Sequence, residues 1–162
     1  MRAHVIHLVS VVFAAGMVAG TSVRADEEAH ASAHVMVTPA ALSWADGPAS
    51  LPPGPKVAVI EGDPTQAGPF TLRIKLPANY RIPPHWHPAD EHVTVIAGAF
   101  HMGLGESYDV SKGKRLPVGS FALMPAKAAH FAFTKGPTVI QLHGIGPWGI
   151  NYVNPSDDPR KK

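Results

Sequence analysis

Glycine and proline interrupt this chain so often that no long regular element can persist, with 15 Gly and 17 Pro spread over 162 residues. Each Gly weakens a helix and each Pro removes a backbone donor, so the pattern selects short elements joined by tight turns. Between the breaks, apolar residues recur with period two. The stretch 70–76 sets Leu72, Ile74 and Leu76 on one side and Thr71, Arg73 and Lys75 on the other, and further short apolar runs lie at 57–60, 92–96, 100–104, 120–124, 130–133 and 138–143. Such spacing predicts an all-β sandwich or barrel. With 45% hydrophobic and 16% charged residues, the chain is long enough for one domain with a real core and short for two.

The first 25 residues read differently. Arg2 precedes an apolar run at 8–19, and Val23-Arg24-Ala25 places small residues at the spacing of a cleavage site. This is the pattern of a secretory signal peptide, and the run is too short to span a bilayer comfortably. The expectation is therefore a secreted, periplasmic protein with no membrane attachment after cleavage. Losing Arg2 and Arg24 would bring the 14 basic residues level with the 12 acidic ones. A near-neutral chain lacks the clustered positive charge that nucleic acid or an anionic membrane requires. Residues 26–55 read as an N-terminal extended arm, 56–154 as the β domain and 155–162 as a C-terminal tail. In the arm, His30 and His34 are four apart, but a weakly apolar segment near a terminus frays more readily than it forms a helix. Leu42 and Trp44 are the large apolar groups there and are expected to pin the arm to the domain.

The chain contains no Cys, which removes disulfides, thiolate nucleophiles and cysteine-bound metals together. Any metal must be held by His and carboxylates. The segment Pro84-His85-Trp86-His87-Pro88-Ala89-Asp90-Glu91-His92 concentrates such groups. On an extended strand His85 and His87 project to one face and Trp86 to the other, so two imidazoles stand side by side. Glu91 has the same parity, although the Pro88 turn lies between, and His92 takes its place if the register there shifts by one. A buried carboxylate beside two imidazoles is costly without a compensating cation. Asp90 is expected to face solvent.

These residues resemble the first of two motifs of the cupin superfamily: His85, His87, Glu91 and Gly98 match its His-x-His, Glu and Gly. The second motif is matched by Gly119, Pro125 and His130. Lys127 replaces a Gly usual in the family, and Thr134 stands where Asn is usual. The run 83–88, with Gly146-Pro147-Trp148-Gly149 and Asn154-Pro155, is similar to small secreted single-domain cupins (cupin type-2-like) of undefined activity. The resemblance implies a double-stranded β-helix, or jelly-roll, of about six to eight strands. It also implies one divalent metal ion held by His85, His87, Glu91 and His130.

Such a ligand set suits Mn²⁺ or Fe²⁺, with Ni²⁺, Cu²⁺ and Zn²⁺ also acceptable, and leaves open positions for water, dioxygen or an anionic substrate. The expected function is an oxygen-dependent, dioxygenase-type step on a small organic acid or phenolic substrate. The alternative is a module that binds a metal or small ligand without turnover. Gln141 and His143 share a face and are catalytic candidates if that face is the barrel interior; an outer sheet face fits the alternation equally well. His101, Tyr80 and Arg73 are weaker pocket candidates. Ala132 shares the parity of His130 and would leave space beside the ion, with Phe131 and Phe133 opposite. Trp86, Trp148 and Phe100 read as apolar contacts between sheet and arm, or between subunits of a homodimer.

Overall fold

The computed structural model describes residues 34–162, and within them the regular structure is mostly strand, with four short 3-10 helices. In order they are β1 (Ala45–Asp46), β2 (Lys56–Glu61), β3 (Gly68–Leu76), β4 (Arg81–Trp86), β5 (Glu91–Ala97), β6 (Ala99–Leu104), β7 (Lys114–Pro117), β8 (Phe121–Met124), β9 (His130–Thr134), β10 (Thr138–Gly146) and β11 (Asn151–Tyr152). One sheet runs β1-β2-β3-β10-β5-β8 and the other β11-β4-β9-β6-β7. Strands that neighbour in space are often distant in sequence, as in β3 with β10 and β4 with β9, and all pair antiparallel. This is the jelly-roll expected from the motifs.

Alternation in β3 places Leu72, Ile74 and Leu76 on the inner face as the period-two pattern requires, and Ile140 and Leu142 of β10 pack beside them. From the second sheet Ile82, Phe100 and Ala132 face them across the interior. Burying each large side chain contributes about 1.5–3 kcal/mol.

Two prolines decide the course of β4. Pro83 and Pro84 have no N–H to give to β9, and the ladder slips: Ile82 opposes Ala132, yet His85 opposes His130. One extra residue on β4 is a β-bulge, and it reverses the alternation within the strand. Ile82 and His85, an odd number of residues apart, consequently both face inward.

Turn chemistry holds the hairpins. Gly98, between β5 and β6, has φ +75°, and a Cβ there would run into the carbonyl oxygen of Pro137. Lys127 adopts φ 63°, which accounts for the usual Gly at this place, and its N–H donates to the His87 carbonyl at 2.8 Å. Thr134, at the position where Asn is usual, makes a tie of its own: its hydroxyl donates to Pro77 O at 2.6 Å and accepts from Tyr80 N–H at 3.0 Å.

The segment before β2 lies along the domain. Trp44 is half-buried with the Lys75 ammonium 3.9 Å from its ring centroid, and Lys56 pairs with Asp46 at 2.6 Å. Tyr152 donates to Ser50 O at 2.8 Å, and Tyr80 donates to Pro52 O. His34 is exposed and outside any helix, while His30 and the stretch read as a signal peptide lie outside the described residues. No helix among the described residues is long and apolar enough to cross a membrane.

Candidate metal centre

The inner faces of the two sheets enclose a cavity of about 640 Å³. His85 from β4, His87 just after it, Glu91 at the start of β5 and His130 at the start of β9 all line it. Each is at most 6% exposed. The three histidines offer nitrogens that lie within 4.8 Å of one another, close enough to ligate one ion. Glu91 closes the group from the neighbouring sheet, with Oε1 3.5 Å from His87 Nε2 and Oε2 3.3 Å from His130 Nε2.

Each ring is oriented by its other nitrogen. Nδ1 meets a backbone carbonyl in all three: His85 at Pro83 O (2.7 Å), His87 at Gly149 O (2.7 Å) and His130 at Ala128 O (2.9 Å). A carbonyl can only accept, so Nδ1–H donates and the lone pair of the neutral ring falls on Nε2. Fixing a ring from behind in this way is how proteins orient metal-ligating imidazoles. The bulge at Pro83-Pro84 has a direct use here, since the Pro83 carbonyl holds the His85 ring.

Electrostatics points the same way. Burial, reinforced by the neighbouring His130 and His87, pushes the His85 imidazole down to about 3, and burial also lowers His87. Burial opposes the Glu91 carboxylate, but the nearby His130, followed by His87 and His85, outweighs it and holds the carboxyl below its ordinary value. Nε2 of His87 and of His130 is buried with no partner in the protein. Lone pairs on two nitrogens thus face a carboxylate across 3.3–3.5 Å, which is unfavourable unless a cation lies among them. The donor set fits a divalent ion.

The remaining sequence candidates lie elsewhere. Gln141 and His143 are on the outer face of β10, because Ile140 and Leu142 take the inner one. Gln141 accepts from Arg73 Nε at 3.1 Å, and His143 stacks on His92 with centroids 4.9 Å apart. Neither catalytic candidate reaches the cavity. His92 is on that same outer face and does not replace Glu91. His101 stacks on Phe133 outside the second sheet, and Tyr80 and Arg73 are likewise absent from the cavity wall. Asp90 faces solvent and accepts the Ala126 N–H at 2.8 Å. Ala132 lies inward beside His130 as its parity requires. Phe131 and Phe133 lie opposite, buried beneath Tyr108.

Two aromatic residues expected only as packing contacts are part of the wall. Phe100 lines the cavity, and Trp148 lies on His87 with ring centroids 4.3 Å apart and planes 17° from parallel. The signal available for Trp148 was its place in Gly146-Pro147-Trp148-Gly149 at the end of β10, the turn that also supplies the carbonyl behind His87. Ser43, Asp46 and Ser50 of the N-terminal segment also line the cavity.

Two antiparallel sheets rolled around inward-facing histidines have the form of the cupin fold. Among solved structures, the polyketide cyclase RemF from Streptomyces resistomycificus matches with TM-score 0.63 and 15% identity, over 80% of this chain and 92% of that one. A proposed acetylacetone dioxygenase from Methylibium petroleiphilum matches with TM-score 0.59 and 18% identity, over 78% and 85%. An RmlC-like cupin from Shewanella frigidimarina gives 0.53 and 14%, over 68% and 89%. At these identities the likeness is one of fold. A search of the curated proteins found no match. The chain belongs to the family described as domain of unknown function DUF4437, whose model matches residues 40–159.

Proposed function

We propose that this cupin is an exported metalloprotein that binds one divalent ion through His85, His87, Glu91 and His130 and carries out an oxygen-dependent step on a small organic molecule. The observation that carries this reading is the convergence of unpartnered, carbonyl-oriented imidazoles on a buried carboxylate. Mn²⁺, Fe²⁺, Ni²⁺, Cu²⁺ and Zn²⁺ all accept nitrogen and oxygen ligands of this kind, and a redox-active member would supply oxygen chemistry when bound. The chain's own contribution is to bind and to exclude water. Apolar side chains from both sheets surround the site, which strengthens every charge interaction inside it. Glu91 is a buried acidic side chain of the cavity wall, and its ionised carboxylate would complete the ligand set.

A second reading follows from the outward position of Gln141 and His143. With these gone, the one titratable side chain of the cavity wall beyond the four proposed ligands is Asp46, which is paired with Lys56 at 2.6 Å, and this favours a module that sequesters an ion or a small ligand without turnover. Oxygen uptake separates the two. Fe²⁺- or Mn²⁺-loaded protein that consumes oxygen with a phenolic or carboxylic substrate, and loses this in His87→Ala, supports the enzyme. Tight binding without consumption supports the module. Elemental analysis of protein purified without a His tag tests the ion itself: a His85→Ala or His130→Ala variant that reloads metal as the wild type does would remove the basis of both readings. Export is tested by N-terminal sequencing of protein from a periplasmic fraction, with Asp26 the expected first residue.

A further inference from the structure

The outer face of the second sheet carries a row of residues that the metal centre does not use. Register sets Arg81 of β4 beside Phe133 of β9, Phe133 beside His101 of β6, and His101 beside Arg115 of β7. The Phe133 and His101 rings stack at 4.7 Å between centroids, so two flat rings separate two arginines across three strand spacings of about 4.8 Å each. Lys135 follows β9 directly.

Charge on this face is one-sided. Ion pairs among the described residues take up Lys56, Lys112 and Arg160, but none takes up Arg81, Arg115 or Lys135. The field of these cations is felt at His101, where Lys135 and then Arg115 add to burial in holding the imidazole below its ordinary value. The whole chain has a formal net charge of only +2, so this is a local excess.

A second cavity, of about 320 Å³, lies at the Arg81 end of the row. Arg81 and Lys135 line it together with Tyr108, Phe133, Val110 and Ser111, and none of its lining residues is acidic. The Arg81 guanidinium carbon is 5.1 Å from the Tyr108 ring centroid, which places an aromatic face behind the cation. Asp109, between Tyr108 and Val110, is engaged elsewhere: Oδ1 accepts from the Ser111 N–H and hydroxyl at 2.9 and 2.6 Å, and Oδ2 lies 3.7 Å from Lys112 Nζ. A concave wall with charge of one sign concentrates counter-ions. No residue of this pocket lines the metal cavity.

We infer that this pocket binds the phosphoryl group of a small phosphate monoester, with Arg81 and Lys135 on its oxygens and the apolar body of the molecule against Tyr108 and Val110. A phosphate monoester carries close to two negative charges above neutral pH, which matches two cations, and its oxygens suit the guanidinium fork. A carboxylate brings one charge. Three cations along the row suffice for one phosphoryl group and are too few for the succession of phosphates on a nucleic acid.

The test titrates the full-length chain with phenyl phosphate, inorganic phosphate and benzoate at about pH 8, followed by calorimetry and NMR. Phenyl phosphate is expected to bind about tenfold more tightly than benzoate and more tightly than inorganic phosphate, and to move the Val110 methyl and the Ser111 and Lys135 amide resonances. Arg81→Gln should weaken its binding about tenfold and Lys135→Gln about threefold, the scale of a hydrogen bond to a charged group. Lys161→Gln makes the same charge change in the C-terminal tail and should leave binding as it is. His87→Ala, which removes a proposed metal ligand, should also bind phenyl phosphate as the wild type does. No binding of phenyl phosphate, affinity unchanged in both Arg81→Gln and Lys135→Gln, benzoate bound as tightly as phenyl phosphate, or resonance shifts confined to residues of the metal cavity would each overturn the inference. So would loss of binding in a folded His87→Ala protein, or recruitment to phosphatidylcholine vesicles carrying phosphatidic acid without binding of soluble phenyl phosphate. The metal reading has its own test in metal content and stands or falls separately.

Discussion

Two groups of histidines lie on opposite faces of this jelly-roll, and they differ in what stands behind each ring. Inside, His85, His87 and His130 each donate Nδ1–H to a backbone carbonyl, and Nε2 of His87 and of His130 converges on Glu91. Outside, His92 and His143 sit directly opposite one another on β5 and β10, with rings 11° from parallel, and in both rings the buried Nδ1 has no partner. A pair of imidazoles is therefore not in itself a metal centre. What distinguishes the inner group is the fixed tautomer, the third ring and the carboxylate, all of which lower the cost of assembling the ligands when an ion arrives.

The comparison breaks most sharply on metal loading. His87→Ala and His130→Ala should reduce bound zinc from about one equivalent to almost none, an affinity loss beyond the ten- to hundredfold typical of an outer partner, whereas His92→Ala and His143→Ala should retain wild-type content by elemental analysis. Equal loss from either group would show that the inner arrangement is not special.

Packing gives the next effect. Leu142 and Gln141 are adjacent on β10 and face in opposite directions, so Leu142→Ala should cost about 3 kcal/mol in a denaturant titration and Gln141→Ala less than about 1 kcal/mol. Chelation then probes the inner group alone. At a free zinc concentration of about 100 times Kd the ion should add about 2.7 kcal/mol to stability, measured as a fall in Tm when a chelator is added and a recovery when zinc returns. In a double variant of His85 and His130 the chelator should have no effect.

The smallest effect concerns the phenols that hold the segment before β2. Burial raises Tyr80, with Tyr152 adding to it, and burial followed by Asp158 raises Tyr152, both from an ordinary value of 10.0. A pKa raised by folding contributes stability that is complete below the unfolded value and is lost as pH climbs above it. Each phenol should cost up to about 1.4 kcal/mol per pH unit above pH 10, read from denaturation midpoints, and Tyr80→Phe with Tyr152→Phe should flatten that slope. An unaltered slope would locate the alkaline weakness elsewhere.

Much of the fold is legible in the residues. The period-two runs at 57–60, 70–76, 92–96, 100–104, 120–124, 130–133 and 138–143 all correspond to strands, because alternation is the one pattern that half-buries an extended segment. The strands β1, β7 and β11 are not visible in that pattern, since they are short and lie at sheet edges, where pairing rather than burial holds them. Strand β4 is obscured by its own prolines, and the bulge they cause is a property of its pairing with β9.

The order of His85, His87, Glu91 and His130 along the chain, and the alternation that sets His85 beside His87, followed from local geometry and were readable from residue spacing. Which face of β10 turned inward was not, because alternation describes two faces and only contact with the opposite sheet says which is enclosed. Nor could spacing place Trp148 against His87, since that contact joins residues 61 positions apart through a turn whose direction depends on Pro64 and Phe70. Local sequence sets what an extended segment can present; burial against distant strands decides which of those presentations becomes a site.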